Sequence, residues 1–336
     1  MNNILFRCDG SLEIGMGHVV RCLALADKLS SDFECKINFL MIGSELGIKK
    51  VKKSYAVIKP SPIDFNYKNW LMDSIKITES NILILDVRDN LSINDLNFIK
   101  ENTKIKIVSI DDPEDKRLAS DLLFYPPVLQ IQEMDWSGFK GKVYCGWEYV
   151  LLRKEFLKKY TKSSTKSLNI LVSMGATDPL NMTNFVIKCL KDIKKDFIVT
   201  IVLGDGYKFR NDLEKQLLES EMKYCIKVSP KNIARVFSQS NFAIISFGQT
   251  AYELAAIGIP SIYLYISSDH EKSSQIFLKN GIGLSAGQFK ESKKIELKTS
   301  IMELINNPKK LIEMSKCSRD LNVSNMELIS NKILLK

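Results

Sequence analysis

His18 is one of only two histidines in 336 residues. It follows Gly15-Met16-Gly17 in the stretch CDGSLEIGMGHVVRCLALADKL (Cys8–Leu29). Glycine permits positive φ and close backbone approach. Val19, Leu23 and Ala26 then continue at helical spacing. His18 therefore stands at or near a first helical turn, and a neutral imidazole there can take a proton from water. The competing reading is a histidine that only caps the helix. Asp9 could orient the ring, bind a sugar hydroxyl or be a loop-capping carboxylate. Arg21, one helical turn on, is a candidate substrate contact, as are Gly15 and Gly17. A dinucleotide fingerprint needs a third glycine where this chain has Val20, so that class is set aside. The loop N–H groups could still hold an anion.

Three further motifs follow strand-like runs. In SMGATDPLNMT (Ser173–Thr183), Asp178 fits a helix N-cap and Pro179 the first helical position. Gly175 and the amides around it are candidates for a diphosphate cradle. In SFGQTAYELAAIGIPSIYL (Ser246–Leu264), Gly248 allows a tight strand-to-helix turn. Gln249 and Thr250 offer hydrogen bonds, with helix N-terminal amides behind them. Glu253, one turn after Thr250, could accept from both hydroxyls of a ribose. In SSDHEKSSQIF, Asp269 and His270 are either sugar or diphosphate contacts or parts of an ordinary loop.

These loops need strands that end beside one another. NNILFRC, CKINFLMI, NILILD and IKIVSID read as strands in the first half. SLNILVSMG, FIVTIVLGDG, NFAIISFG and PSIYLYI do so in the second, with helical stretches between them. Short apolar strands alternating with helices predict parallel sheets covered on both faces. The expected fold is α/β, with two doubly wound Rossmann-like domains and ligands at the strand carboxyl ends, in a cleft between the domains. The expected division is an N-terminal domain over 1–157, a polar linker over 158–167 and a nucleotide-binding domain over 168–336. The last helix is a candidate to pack back on the first domain.

The apolar share of 45% and charged share of 26% suit a globular protein. No apolar run is long enough for a membrane span, and no leader is expected. Seven cysteines without a C-x-x-C predict reduced thiols and a cytoplasmic setting, not a disulfide framework. Two histidines far apart argue against a metal site, and no cofactor is expected. The net charge of +9 includes the runs Lys49–Lys53 and Lys158–Lys166. It fits either a solvated surface or attraction of an anionic ligand such as a nucleotide sugar. Nucleic acid is disfavoured, because the basic runs lack interleaved aromatics. Nothing in the sequence sets an oligomeric state, and a monomer is compatible with it.

The Gly248–Glu253 segment resembles the nucleotide-binding signature of GT-B enzymes of the MurG type. That resemblance implies that Glu253 holds a nucleotide ribose. FRCDGSLEIGMGHVVRCLALA, CGWEYVLLRKEF, SMGATDPLN and NIARVFSQSNFAIIS together resemble the UDP-2,4-diacetamido-2,4,6-trideoxy-β-L-altropyranose hydrolases of pseudaminic acid biosynthesis and the related SpsG-type spore-coat proteins. The resemblance runs from about residue 4 to 283. It implies a metal-free hydrolase that releases UDP, with His18 in the position of the family's catalytic histidine. Two departures bear on the sugar. Asp269-His270 stand where the family has Asn-Gln, and Asp86 is followed by Val87-Arg88 instead of a His/Tyr-type pair. A GT-B glycosyltransferase and a non-catalytic nucleotide-sugar-binding module are the competing functions.

Overall fold

The structure, a computed structural model, describes residues 2–11, 15–43, 45–61, 65–161 and 167–335. The chain divides into two compact units, Met1–Arg153 with Ser324–Lys336, and Lys154–Val323.

The first unit contains β1 (Asn2–Cys8), α1 (Gly17–Asp32), β2 (Cys35–Leu40), α2 (Glu45–Val51), β3 (Ala56–Ile58) and α3 (Tyr67–Ile77). It continues with β4 (Ile82–Asp86), α4 (Ile93–Thr103), β5 (Lys106–Ile110), β6 (Leu122–Tyr125) and β7 (Lys142–Cys145). The seven strands are ordered β3-β2-β1-β4-β5-β6-β7, and every pair is parallel. The strand order reverses at the β1–β4 pair, where a doubly wound sheet opens its ligand crevice. β4 is buried at all five positions, as a strand covered on both faces must be. α1 buries Val19, Cys22, Ala26 and Leu29, one stripe at helical spacing. α4 starts in a capping box between Ser92 and Asp95.

The second unit contains β8 (Leu168–Ser173), α5 (Met182–Lys191), β9 (Phe197–Leu203), α6 (Arg210–Leu218), β10 (Lys223–Val228) and α7 (Ile233–Ser238). Then come β11 (Phe242–Ser246), α8 (Gln249–Ala256), β12 (Ser261–Tyr265), α9 (Ser268–Lys279), β13 (Gly283–Gln288), α10 (Lys294–Asn306) and α11 (Pro308–Arg319). The sheet order is β10-β9-β8-β11-β12-β13, again all parallel, and it reverses at the β8–β11 pair.

α12 (Met326–Leu334) belongs to the first unit. The carbonyls of Trp147 and Glu148 accept from the Ser324 and Asn325 amides at 2.8 and 2.7 Å. Lys106 Nζ donates to the carbonyls of Ile333 and Leu335. The CGWEY segment is thus a seat for the start of this helix. The division falls at Arg153/Lys154, a few residues before the expected end at 157. The cause is Phe156, which is buried and packs on Phe237 of α7 at 6.0 Å. Of the expected linker, residues 162–166 lie outside the described residues. Five strands were not foreseen: β3, β6, β7, β10 and β13. They are three to six residues long, and β10 and β13 carry exposed or glycine-interrupted patterns that hide the alternation. Among the described residues no helix is long and apolar enough to cross a membrane.

Candidate functional site

At the switch point of the first unit, Gly15 turns the chain in the left-handed region at φ 78°. Ser11 N–H donates to its carbonyl at 3.2 Å. α1 starts two residues later at Gly17, with no side chain capping it, and His18 is its second residue. Residues 12–14 of the loop lie outside the described residues. β4 lies beside β1 with Asp86 in register with Cys8, so Asp86 ends its strand next to the start of α1. Asp111, just after β5, has a left-handed backbone at φ 52°.

These elements bring five side chains together. His18 Nδ1 is 2.6 Å from Asp86 Oδ1. Arg21 donates to the same carboxylate through Nε (2.6 Å, to Oδ2) and Nη2 (2.6 Å, to Oδ1). Its Nη1 donates to Asp111 Oδ2 at 3.0 Å. Cys22 Sγ donates to Asp86 Oδ2 at 3.4 Å. Burial alone would raise the Asp86 carboxyl; the charge of Arg21 and the contact with His18 overcome this and hold it well below the usual carboxylate range. Burial opposes the Arg21 charge, but Asp86 and Asp111 together push its ionisation further up. The Cys22 thiol, buried beside Cys8, is pushed up, so it serves as a donor and not as a thiolate.

The geometry also selects a tautomer. Ionised Asp86 only accepts and Arg21 only donates. Nδ1 lies closer to Asp86 (2.6 Å) than to Arg21 Nη2 (3.2 Å), so Nδ1 carries the hydrogen and donates to Asp86. The lone pair then sits on Nε2, the arrangement a histidine base uses. The His18 side chain remains 22% exposed, whereas Asp86 is fully buried.

Asp9 does not orient His18. Its Oδ1 accepts from the Ile42 and Gly43 amides at 2.9 and 2.7 Å, and its Oδ2 pairs with buried Arg7 at 2.6 Å. Of its candidate roles, loop capping is the one the structure fills, because the loop after β2 leaves two amide donors that need an acceptor. Arg21 likewise spends all three of its nitrogens on protein carboxylates. Asp86 and Asp111 were missed as members of the cluster. The available signal was an acid closing an apolar strand in NILILD and again in IKIVSID.

The second unit's switch point is filled differently. Gly175 follows β8 at φ 85°, and a Cβ there would meet nothing within 4 Å. Gly248 caps α8 in extended backbone, and a Cβ there would also meet nothing. The two loops are neighbours because β8 pairs with β11. Gln249 and Thr250 open α8, both half-buried, with no side-chain cap on its first amides. Asp178 is a buried acceptor for the Met182 and Thr183 amides at 2.8 Å each, but α5 starts at Met182 with Asn181 at its N-cap, so the positions expected as N-cap and first helical residue, Asp178 and Pro179, lie in the turn before the helix. Glu253 is buried at 2% exposure, tighter than an open ribose contact requires. Asp269 and His270 lie in the first turn of α9, where Ser267 Oγ accepts from the His270 amide at 3.3 Å. Asp269 is exposed, and the His270 ring lies 6.2 Å from that of Phe247. Among the described residues no group of three His, Cys, Asp or Glu side chains could hold a metal ion.

Comparisons with known proteins agree on the fold and on a set of relatives. No family model matches the chain. It is 30% identical to the UDP-2,4-diacetamido-2,4,6-trideoxy-β-L-altropyranose hydrolase of Campylobacter jejuni, over 72% of this chain and 84% of the relative. It is 24% identical to the spore coat polysaccharide biosynthesis protein SpsG of Bacillus subtilis, over 83% and 82%. An uncharacterised protein of Methanocaldococcus jannaschii is 29% identical over 81% of this chain, a match that spans only 57% of that relative's length. Among solved structures, MurG of Acinetobacter baumannii superposes with a TM-score of 0.72 at 14% identity, covering 99% of both chains. MnaA of Staphylococcus aureus, solved with UDP, superposes at 0.66 and 13% identity, covering 99% of this chain and 96% of that one. The fold is GT-B.

Proposed function

The chain belongs to the family of the UDP-2,4-diacetamido-2,4,6-trideoxy-β-L-altropyranose hydrolase, and from this we propose that it hydrolyses that UDP-sugar or a close relative. In this reading it is a nucleotide-sugar enzyme that transfers the glycosyl group to water. His18 Nε2 takes a proton from the attacking water, an oxygen–carbon bond forms at the anomeric centre, and the bond to UDP breaks with its electron pair leaving on the diphosphate. The free diacetamido sugar and UDP are the products. Ionised Asp86 holds Nδ1–H and stabilises the ring as it gains charge, as a triad carboxylate does. The glycine loops at 175 and 248, with Gln249 and Thr250, take the diphosphate on backbone amides. Glu253, on the first turns of α8, is the residue assigned to the ribose.

The observation that carries this reading is the His18–Asp86 contact at 2.6 Å. A buried, ionised carboxylate behind an imidazole supports catalysis over a binding module. The deciding experiment incubates the protein with UDP-2,4-diacetamido-2,4,6-trideoxy-β-L-altrose and no acceptor, following phosphorus and proton NMR. Stoichiometric UDP and free sugar are expected. Absence of UDP until a carbohydrate or lipid acceptor is added would replace hydrolysis by transfer, which the GT-B fold also serves.

A further inference from the structure

We propose that Arg21 is a positioning residue that fixes the tautomer of His18 through Asp86, and is not a contact for the substrate. The proposal rests on His18 being the base of the reaction above.

The Arg21 guanidinium grips Asp86 through Nε and Nη2, both at 2.6 Å, the two-point geometry that a planar fork makes with a carboxylate. Its third nitrogen reaches Asp111 at 3.0 Å. The side chain is only 12% exposed, so little of it remains for a ligand. Asp111 approaches from a left-handed backbone position, one that Asp tolerates better than most residues, and so anchors the fork from a neighbouring strand end.

The consequence falls on Asp86 Oδ1, which receives both Arg21 Nη2 and His18 Nδ1. With both carboxylate oxygens gripped, the carboxylate cannot turn away from the ring. A buried carboxylate without the guanidinium would be unpaired, and would turn or take up a proton. Nδ1–H would then lose its fixed acceptor, and the ring would sample both tautomers. Nη2 also lies 3.2 Å from Nδ1, so its positive charge opposes a second charge on the ring.

The test uses protein with ¹⁵N-labelled histidine and the variants Arg21→Met and Arg21→Lys. Only His18 and His270 give ring signals, and His18→Ala assigns them. At mildly alkaline pH the wild type is expected to show His18 as a single Nδ1–H tautomer, and the Met variant a mixture. Its kcat should fall about 10- to 100-fold, with KM changed by no more than about 2-fold. Lysine keeps the charge but not the fork, and should fall between. A raised KM with unchanged kcat and an undisturbed tautomer would make Arg21 a substrate contact and overturn the proposal. If the Met variant does not fold, Asp111→Asn is the substitute. A fall in kcat and a loosened tautomer support the proposal, and no change in either overturns it. A wild type that releases no UDP yet shows the fixed tautomer would sink the proposed hydrolysis and leave the role of Arg21 standing.

Discussion

The two units build the same crevice and fill it with opposite chemistry. Both sheets share the order 3-2-1-4-5-6 counted within the unit, and the first adds a seventh strand. In the first unit the strand ends carry acids, Asp86 and Asp111, which hold His18 and Arg21. In the second, Gly175 follows β8 and Gly248 follows β11, and the nearby acid Asp178 is turned inward onto the first amides of α5. Buried carboxylates repel phosphate, whereas bare amides at a helix start attract it. The shared topology supplies two openings, and under the proposed reading the side chains assign proton transfer to the first and the diphosphate to the second.

The division of labour can be broken most directly at His18. His18→Ala should lower UDP release about 10³- to 10⁴-fold, while calorimetry finds UDP affinity unchanged. Retained turnover would take the chemistry out of the first unit. Asp86→Asn should lower kcat about 10²- to 10³-fold, because an amide can donate to Nδ1 and favour the wrong tautomer. It should also destabilise the fold by about 3–5 kcal/mol, since Arg21 loses its buried partner. The sign with pH follows from the depressed Asp86 ionisation. Its contribution is full above the ordinary carboxylate range and is lost as pH falls toward the folded value. The stability gap between wild type and variant in urea melts should therefore narrow below about pH 4.

Substitutions in the second unit should act on the nucleotide. Gly248→Ala puts a methyl where, among the described residues and beyond its chain neighbours, no atom lies within 4 Å, on extended backbone. UDP affinity should fall about 10-fold with the melting temperature nearly unchanged, because only the ligand would meet the methyl. A large drop in melting temperature with affinity intact would place the phosphate elsewhere. Gly175→Ala should destabilise the fold by about 1 kcal/mol, because its φ of 85° strains any side chain. Comparing the two glycines by differential scanning calorimetry and UDP titration separates backbone strain from ligand collision.

The alternation of apolar runs and helical spacing is a local signal. NILILD and FAIIS were therefore readable as buried strands, and so was the parallel α/β class. Glycine-rich turns with His18 or Gln249 behind them were readable too, because turn chemistry is written in adjacent residues. The partner of His18 was not. Asp9, nine positions away in sequence, is drawn off by the loop after β2, while Asp86, sixty-eight positions away, arrives because β4 inserts beside β1. The same holds for Arg21, whose type suggested an anion from outside and whose fork closes on two acids from within. Residue type and spacing set which groups can ionise, donate or turn. Strand order decided which of them meet, because in a doubly wound sheet neighbours in space are chosen by the crossover connections and not by position in the chain.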